Sequence, residues 1–226
     1  MNAIELIDAV VEDHASFKRV GPKLEAMPPD EAAAKRLIRA YKSESVPPWL
    51  TAYLLGCVGH AAGYKTAKQI LLDNPGLSAE SYAGVALAKI RGTEAYRDLK
   101  TIIFDDERPK VRRGAAHGLA HRRESDVIPV FIDAFRTKRL PHNDVSWHIA
   151  QCGPDDSTLV SLLSNSDGRE QKLGCAIADI LLWSDGGFTP PGRAVARCAY
   201  SLLCRDSLAF NKRMFERLSN WAAANR

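Results

Sequence analysis

The sequence predicts an all-α fold: an α-solenoid, or α-α superhelix, built as a right-handed curved stack of antiparallel helix pairs. Three observations predict it. Apolar residues recur at spacings of three and four along the chain, which is the period of a helix face. No segment shows the alternating pattern of β-branched and aromatic residues that a strand requires. Small residues closing successive helices, Gly59, Ala88, Ala120 and Ala150, stand 29, 32 and 30 residues apart. After each comes a polar or glycine break and a second apolar helix. One such pair cannot bury its apolar face alone, so several must stack. The 226 residues therefore read as a single domain of about thirteen helices.

The elements follow in order. Ile4, Ile7, Val10, Val11 and Phe17 form a first apolar stripe. Pro28, Pro29, Asp30 and Glu31 open a helix carrying Leu37, Ile38 and Tyr41, with acidic residues in its first turn, where the helix dipole favours them. Pro47 and Pro48 start a strongly apolar helix through Trp49, Tyr53, Leu54, Cys57 and Val58, which glycine stops near Gly59. A short helix holds Ala67, Ile70 and Leu71. Ser78 caps the next, which carries Val85, Ala86, Ala88 and Ile90 and is expected to stop at Gly92. Its partner holds Leu99, Ile102, Ile103 and Phe104.

Residues 106–120 combine a proline-started turn with an Ala/Gly-rich helix whose face is Val111, Ala115 and Leu119. The partner helix carries Ile128, Phe131, Ile132 and Phe135. Pro141 opens a helix with Trp147 and Ala150, stopped at Gly153 and Pro154. A short helix with Leu159, Val160, Leu162 and Leu163 follows, then one beyond Gly168 with Leu173, Ala176, Ile177, Ile180 and Leu181. Residues 185–192 are the longest loop signal. Two last helices carry Val195, Cys198, Leu202 and Leu203, then Phe210, Met214, Leu218 and Trp221.

Composition bounds the function. With 46% hydrophobic residues the chain can bury a large core. A net charge of +4, from 31 basic and 27 acidic residues, supports neither a strong nucleic-acid nor a strong membrane reading. Cys57, Cys152, Cys175, Cys198 and Cys204 are odd in number and lack a C-x-x-C pair, which fits free thiols in a reducing compartment. The first eleven residues lack a basic region and a long apolar run, so no secretory signal is expected. No apolar run approaches the ~20 residues that span a bilayer. The expectation is a soluble cytoplasmic protein.

Asp106, Pro109, Val111, Arg112, Ala115, Ala116, Leu119 and Ala120 make one pattern: an aspartate closing a helix pair, a short turn, Val-Arg, then Ala and Gly. This pattern resembles HEAT-like repeats. Asp167, Arg169, Leu173 and Ala176 match it more loosely, and residues 73–88 more loosely still. The resemblance covers about residues 47–184, with residues 1–46 and 185–226 as helical caps. It implies a stacked superhelix in which Asp106 and Arg112 bridge neighbouring repeats. The Thr-Pro-Leu-His of ankyrin repeats and the spaced Trp, Leu, Gly and Tyr of tetratricopeptide repeats are absent.

Four constellations invite a chemical reading. His117 and His121 stand at i and i+4 with Arg113 one turn earlier, a spacing that can present two imidazoles to a metal; no third ligand completes the set, so no metal site is assigned. Arg108, Lys110, Arg112, Arg113, Arg122 and Arg123 make a dense basic cluster suited to phosphates or to an acidic protein. Arg136, Lys138 and Arg139 close a helix, where the dipole alone favours them. Trp147, Asp179 and Trp183 resemble the aromatic and carboxylate residues of the HEAT-like alkylpurine DNA glycosylases, although the local sequences reproduce no motif of theirs. That resemblance implies cradling of a damaged nucleotide by the aromatics and assistance to cleavage by the carboxylate.

No phosphate loop, nucleophile elbow or Cys-His pairing is present. The expectation is therefore non-enzymatic macromolecular binding, with a protein as partner, as a scaffold or inhibitor. No catalytic residue and no cofactor are assigned. Candidate partner-binding residues are Arg97, Lys100, Arg108, Lys110, Arg113, His117, His121, Asp133, Arg136 and Trp147, with Thr137 beside them. A DNA-binding or DNA-repair protein, and an immunity protein neutralising a toxin, are the alternatives.

Overall fold

The computed structural model describes residues 1–73, 76, 78–182, 187–205 and 212–225. Among the described residues are fourteen α-helices, three short 3-10 turns and no strand, so the protein is all-α. No helix among them is long and apolar enough to cross a membrane. The chain divides into two compact units, Met1–Arg122 and Arg123–Arg226. Phe210, Trp183 and part of the expected loop, Asp185 and Gly186, lie outside the described residues.

The first unit contains α1 (Ala3–Glu12), α2 (Phe17–Glu25), α3 (Glu31–Lys42), α4 (Pro48–Val58), α5 (Tyr64–Asp73), α6 (Ala79–Ile90), α7 (Gly92–Asp105) and α8 (Pro109–His121). Within it α2 packs on α4, α4 on α6 and α6 on α8, forming one layer. Behind that layer, α1 packs on α3, α3 on α4, α5 on α4 and α6, and α7 on α6 and α8. The second unit contains α9 (Ile128–Arg136), α10 (His142–Gln151), α11 (Asp156–Leu163), α12 (Gly168–Leu181), α13 (Arg193–Arg205) and α14 (Lys212–Asn225). There α10 packs on α12 and α12 on α14, while α9 packs on α10, α11 on α12 and α13, and α13 on α14.

The Ala/Gly-rich composition of α8 has a steric cause. A Cβ on Gly84 would run into the Gly114 carbonyl oxygen, and one on Gly118 into that of Gly84. A Cβ on Gly114 would lie 2.5 Å from the Glu80 carbonyl oxygen. α6 and α8 therefore meet backbone to backbone, a separation that only glycine at these three positions permits. The same approaches fix the register: Gly84 stands between Gly114 and Gly118.

Several boundaries follow the expected local chemistry. Asp30 caps α3 by accepting from the Ala33 N–H at 2.8 Å. Gly59 closes α4 at φ 66°, the left-handed conformation glycine adopts without penalty. Others differ. Ile4 is exposed while Leu6 is buried, so the first stripe runs through Ala3, Leu6, Ile7 and Val10, and Phe17 begins a separate helix. Ser78 sits before α6 without a side-chain cap, its own φ being 60°. Gly92 does not end a helix; α6 closes at Ile90 and Gly92 begins α7.

Candidate functional site

In the first unit, α2, α4, α6 and α8 lie side by side, and their outward positions form one face. At one end of it, four aromatic rings from three helices are linked in a chain of ring contacts. Phe17 meets Trp49 at 5.2 Å and Tyr53 at 5.6 Å, and Tyr82 meets Trp49 at 6.1 Å and Tyr53 at 5.8 Å. Tyr82 is 38% exposed, and Phe17, Trp49 and Tyr53 are half-buried. Burial pushes the Tyr53 hydroxyl up to about 12, so this ring stays neutral.

Toward the other end of the same face lies a polar row. Lys89 Nζ donates to Glu25 Oε1 at 2.6 Å, and Cys57 Sγ donates to the same oxygen at 3.4 Å. The Lys89 hydrogen bond holds the Glu25 carboxyl below the usual range, helped by the charge of His121. Burial pushes the Cys57 thiol up to about 12, and the Glu25 charge adds to it, so the thiol stays protonated at neutral pH.

On α8 the buried positions are Val111, Gly114, Ala115, Ala116, Gly118, Leu119 and Ala120. Lys110, Arg113, His117 and His121 are left on the opposite stripe, three of them exposed and His117 half-buried. From the α6–α8 register, Tyr82 stands at the level of Arg113 and Lys89 at that of His121. The aromatic cluster thus continues into a cationic stripe. Among the described residues no group of three or more His, Cys, Asp or Glu could hold a metal ion.

The turn before α8 is tied down locally. Arg108 donates to Asp106 from Nε at 3.0 Å and from Nη2 at 2.7 Å, and its Nη1 donates to the Leu72 carbonyl on α5. Arg112 Nη1 donates to the Asp106 and Glu107 carbonyls at 3.0 and 2.9 Å. Arg108 thus links this turn to α5, while these bonds of Asp106 and Arg112 lie within the turn itself.

The other expected residues lie elsewhere. Arg97 and Lys100 are on α7, in the layer behind, and both are exposed. Beside them Asp98 accepts from the Tyr64 hydroxyl at 2.8 Å and from Lys68 at 2.7 Å. In the second unit Arg136 is engaged internally: it forks onto the buried Glu170 through two bonds of 2.9 Å and reaches Asp133 at 3.6 Å. Thr137 donates its hydroxyl to the Asp133 carbonyl at 2.7 Å. Asp179 accepts a similar fork from Arg217 at 2.6 and 2.9 Å. Trp147 is 36% exposed and meets Phe188 at 6.1 Å with perpendicular rings. Trp183, the other tryptophan of the glycosylase resemblance, lies outside the described residues.

Comparison with protein-family models, with curated proteins and with solved structures found no match for this chain. The geometry of the site therefore carries its interpretation. Sequence reasoning places the α8 stripe and misses the aromatic cluster. Trp49 and Tyr53, at i and i+4 on an apolar helix, look the same as core positions. Only the neighbouring helices show that they meet Phe17 and Tyr82 at the surface.

Proposed function

We propose that the protein is a non-enzymatic binding module that captures an acidic protein partner on the α2–α4–α6–α8 face of its first unit. The observation that carries this reading is the partly exposed cluster of Phe17, Trp49, Tyr53 and Tyr82 beside the cationic stripe of α8. Interface hot spots are enriched in Trp, Tyr and Arg, because aromatic rings supply large rigid area and Arg supplies directed donors. Lys110, Arg113 and His121 would steer an acidic surface onto the aromatics and fix its orientation. The two-layer packing order within each unit supports, as part of the same proposal, a HEAT-like stack of helix pairs. In such a stack, successive helices of one layer build a continuous binding face.

Affinity capture from the host tests the proposal. Wild-type protein and the Arg97→Glu variant should retain one stoichiometric protein partner, and the Trp49→Ala/Tyr82→Ala variant should not. Loss in Arg97→Glu with retention in the aromatic variant would move recognition to the α7 layer. Retention of nucleic acid, released steeply as salt rises, would replace the proposal with the DNA-binding alternative.

A further inference from the structure

The second unit carries a separate cleft of about 680 Å³ beside α10, α11 and α12. That volume lies within the range of small-ligand sites, roughly 300–1,000 Å³. Its apolar wall includes Trp147, Phe188 and Leu181. The rings of Trp147 and Phe188 stand at 90° to each other with centroids 6.1 Å apart, so two aromatic planes meet as a corner.

Asp155 and Asp156, at the start of α11, also line the cleft. Asp155 accepts from the Thr158 N–H at 2.8 Å and from the Ser157 hydroxyl at 3.0 Å. These bonds fix its carboxylate in place and keep it ionised. Asp156 Oδ1 accepts from the Gly192 N–H at 3.0 Å, which ties the segment after Phe188 to the start of α11. Among the described residues of the lining, Arg123 is the one cation, so the carboxylates outnumber it two to one.

We propose that this cleft binds an organic ammonium group, seated against the Trp147–Phe188 corner with Asp155 and Asp156 neutralising its charge. An aromatic face attracts a cation within about 6 Å of its centroid through the ring quadrupole. A weakly hydrated alkylated ammonium gains more there than a hard metal ion does, because it sheds less water and fills apolar volume. Arg123 lowers the net negative charge of the lining, so selectivity depends on the aromatic wall rather than on field alone. Nothing in this site draws on the face of the first unit.

Calorimetric titration of the full chain with choline and with its uncharged carbon isostere, dimethylbutanol, tests the charge requirement. Peptides carrying trimethyllysine or unmodified lysine in the same sequence form the second pair of probes. Choline or the trimethyllysine peptide should bind at least about tenfold tighter than its comparison, equivalent to about 1.4 kcal/mol. The tighter of the two tells a free small molecule from a modified chain as the source of the group. Trp147→Ala should abolish that preference. Asp155→Asn should weaken binding several-fold while leaving α11 folded, since Asn caps a helix as well as Asp. Equal binding of probe and comparison in both pairs, unchanged binding in Trp147→Ala, or binding of neither choline nor the trimethyllysine peptide would overturn the proposal.

Discussion

Arg136 reads from the sequence as a surface contact, and its side chain is 51% exposed, yet it forks onto Glu170, whose side chain is 8% exposed. Removing the arginine leaves a buried carboxylate without its main cation. Hydrogen bonds to charged groups contribute about 1.5–3 kcal/mol, and a stranded buried charge costs more than the bond alone. Arg136→Ala should lower the urea midpoint by an amount corresponding to about 2 kcal/mol. Arg136→Ala/Glu170→Gln should recover part of that loss; if it recovers none, the fork is not what stabilises this pair.

The thiols separate by environment. Burial pushes Cys57, Cys152 and Cys175 each up to about 12, while Cys204 is exposed and Cys198 half-buried. Native protein treated with a thiol reagent at neutral pH should modify Cys204 fast and Cys198 more slowly. The three buried thiols should react only on unfolding.

Three partly buried carboxylates are held below their usual range by cationic or hydroxyl partners. Glu25 lies below its usual range through the Lys89 hydrogen bond, and Asp106 through that of Arg108. Burial raises Asp98, but its bonds from Lys68 and Tyr64 outweigh this and leave it lowered. A carboxylate depressed in the folded state contributes stability above its unfolded pKa, and that contribution is lost as pH falls through the folded value. The urea midpoint should therefore hold from neutrality to about pH 5 and fall below about pH 4. Asp98→Asn should make that fall shallower.

At the level of elements, the decisive packing is glycine on backbone. Gly84, Gly114 and Gly118 let α6 and α8 approach until carbonyl oxygens occupy the space of a Cβ. Gly114→Ala or Gly118→Ala should cost about 1–3 kcal/mol, because the joint is overpacked and its backbone cannot yield. Gly92 and Gly168 start α7 and α12, and among the described residues nothing lies within 4 Å of where a Cβ would stand. Alanine there should be neutral or stabilising by up to about 1 kcal/mol, by reducing unfolded-chain freedom. Equal destabilisation at all four positions would contradict the close approach.

Helices are legible because proline starts, aspartate caps and left-handed glycines act locally: Pro48 opens α4, Asp30 caps α3 and Gly59 closes α4. Gly92 misleads because a glycine between two helical patterns can end the first or begin the second, and only packing decides. Ile4 misleads because two stripes one residue apart share Ile7 and Val10, and the burial of Leu6 chooses between them.

At the scale of the molecule, the all-α class follows from period alone, while the candidate surface does not. The α8 stripe is readable because one helix carries all four residues. The aromatic cluster is not, because its rings come from three helices separated by up to 65 residues of sequence between Phe17 and Tyr82. Asp179 and Arg136 are plausible functional residues as letters, and each is held in an internal fork with an arginine or a glutamate. The central claim is that the first unit recognises an acidic protein through these aromatics. The most direct measurement is the calorimetric Kd of the captured partner for wild-type protein and for the Trp49→Ala/Tyr82→Ala variant, with folding checked by circular dichroism. Two hot-spot losses of about 2 kcal/mol each should weaken binding by hundreds-fold or more. An unchanged Kd in a folded variant would contradict it.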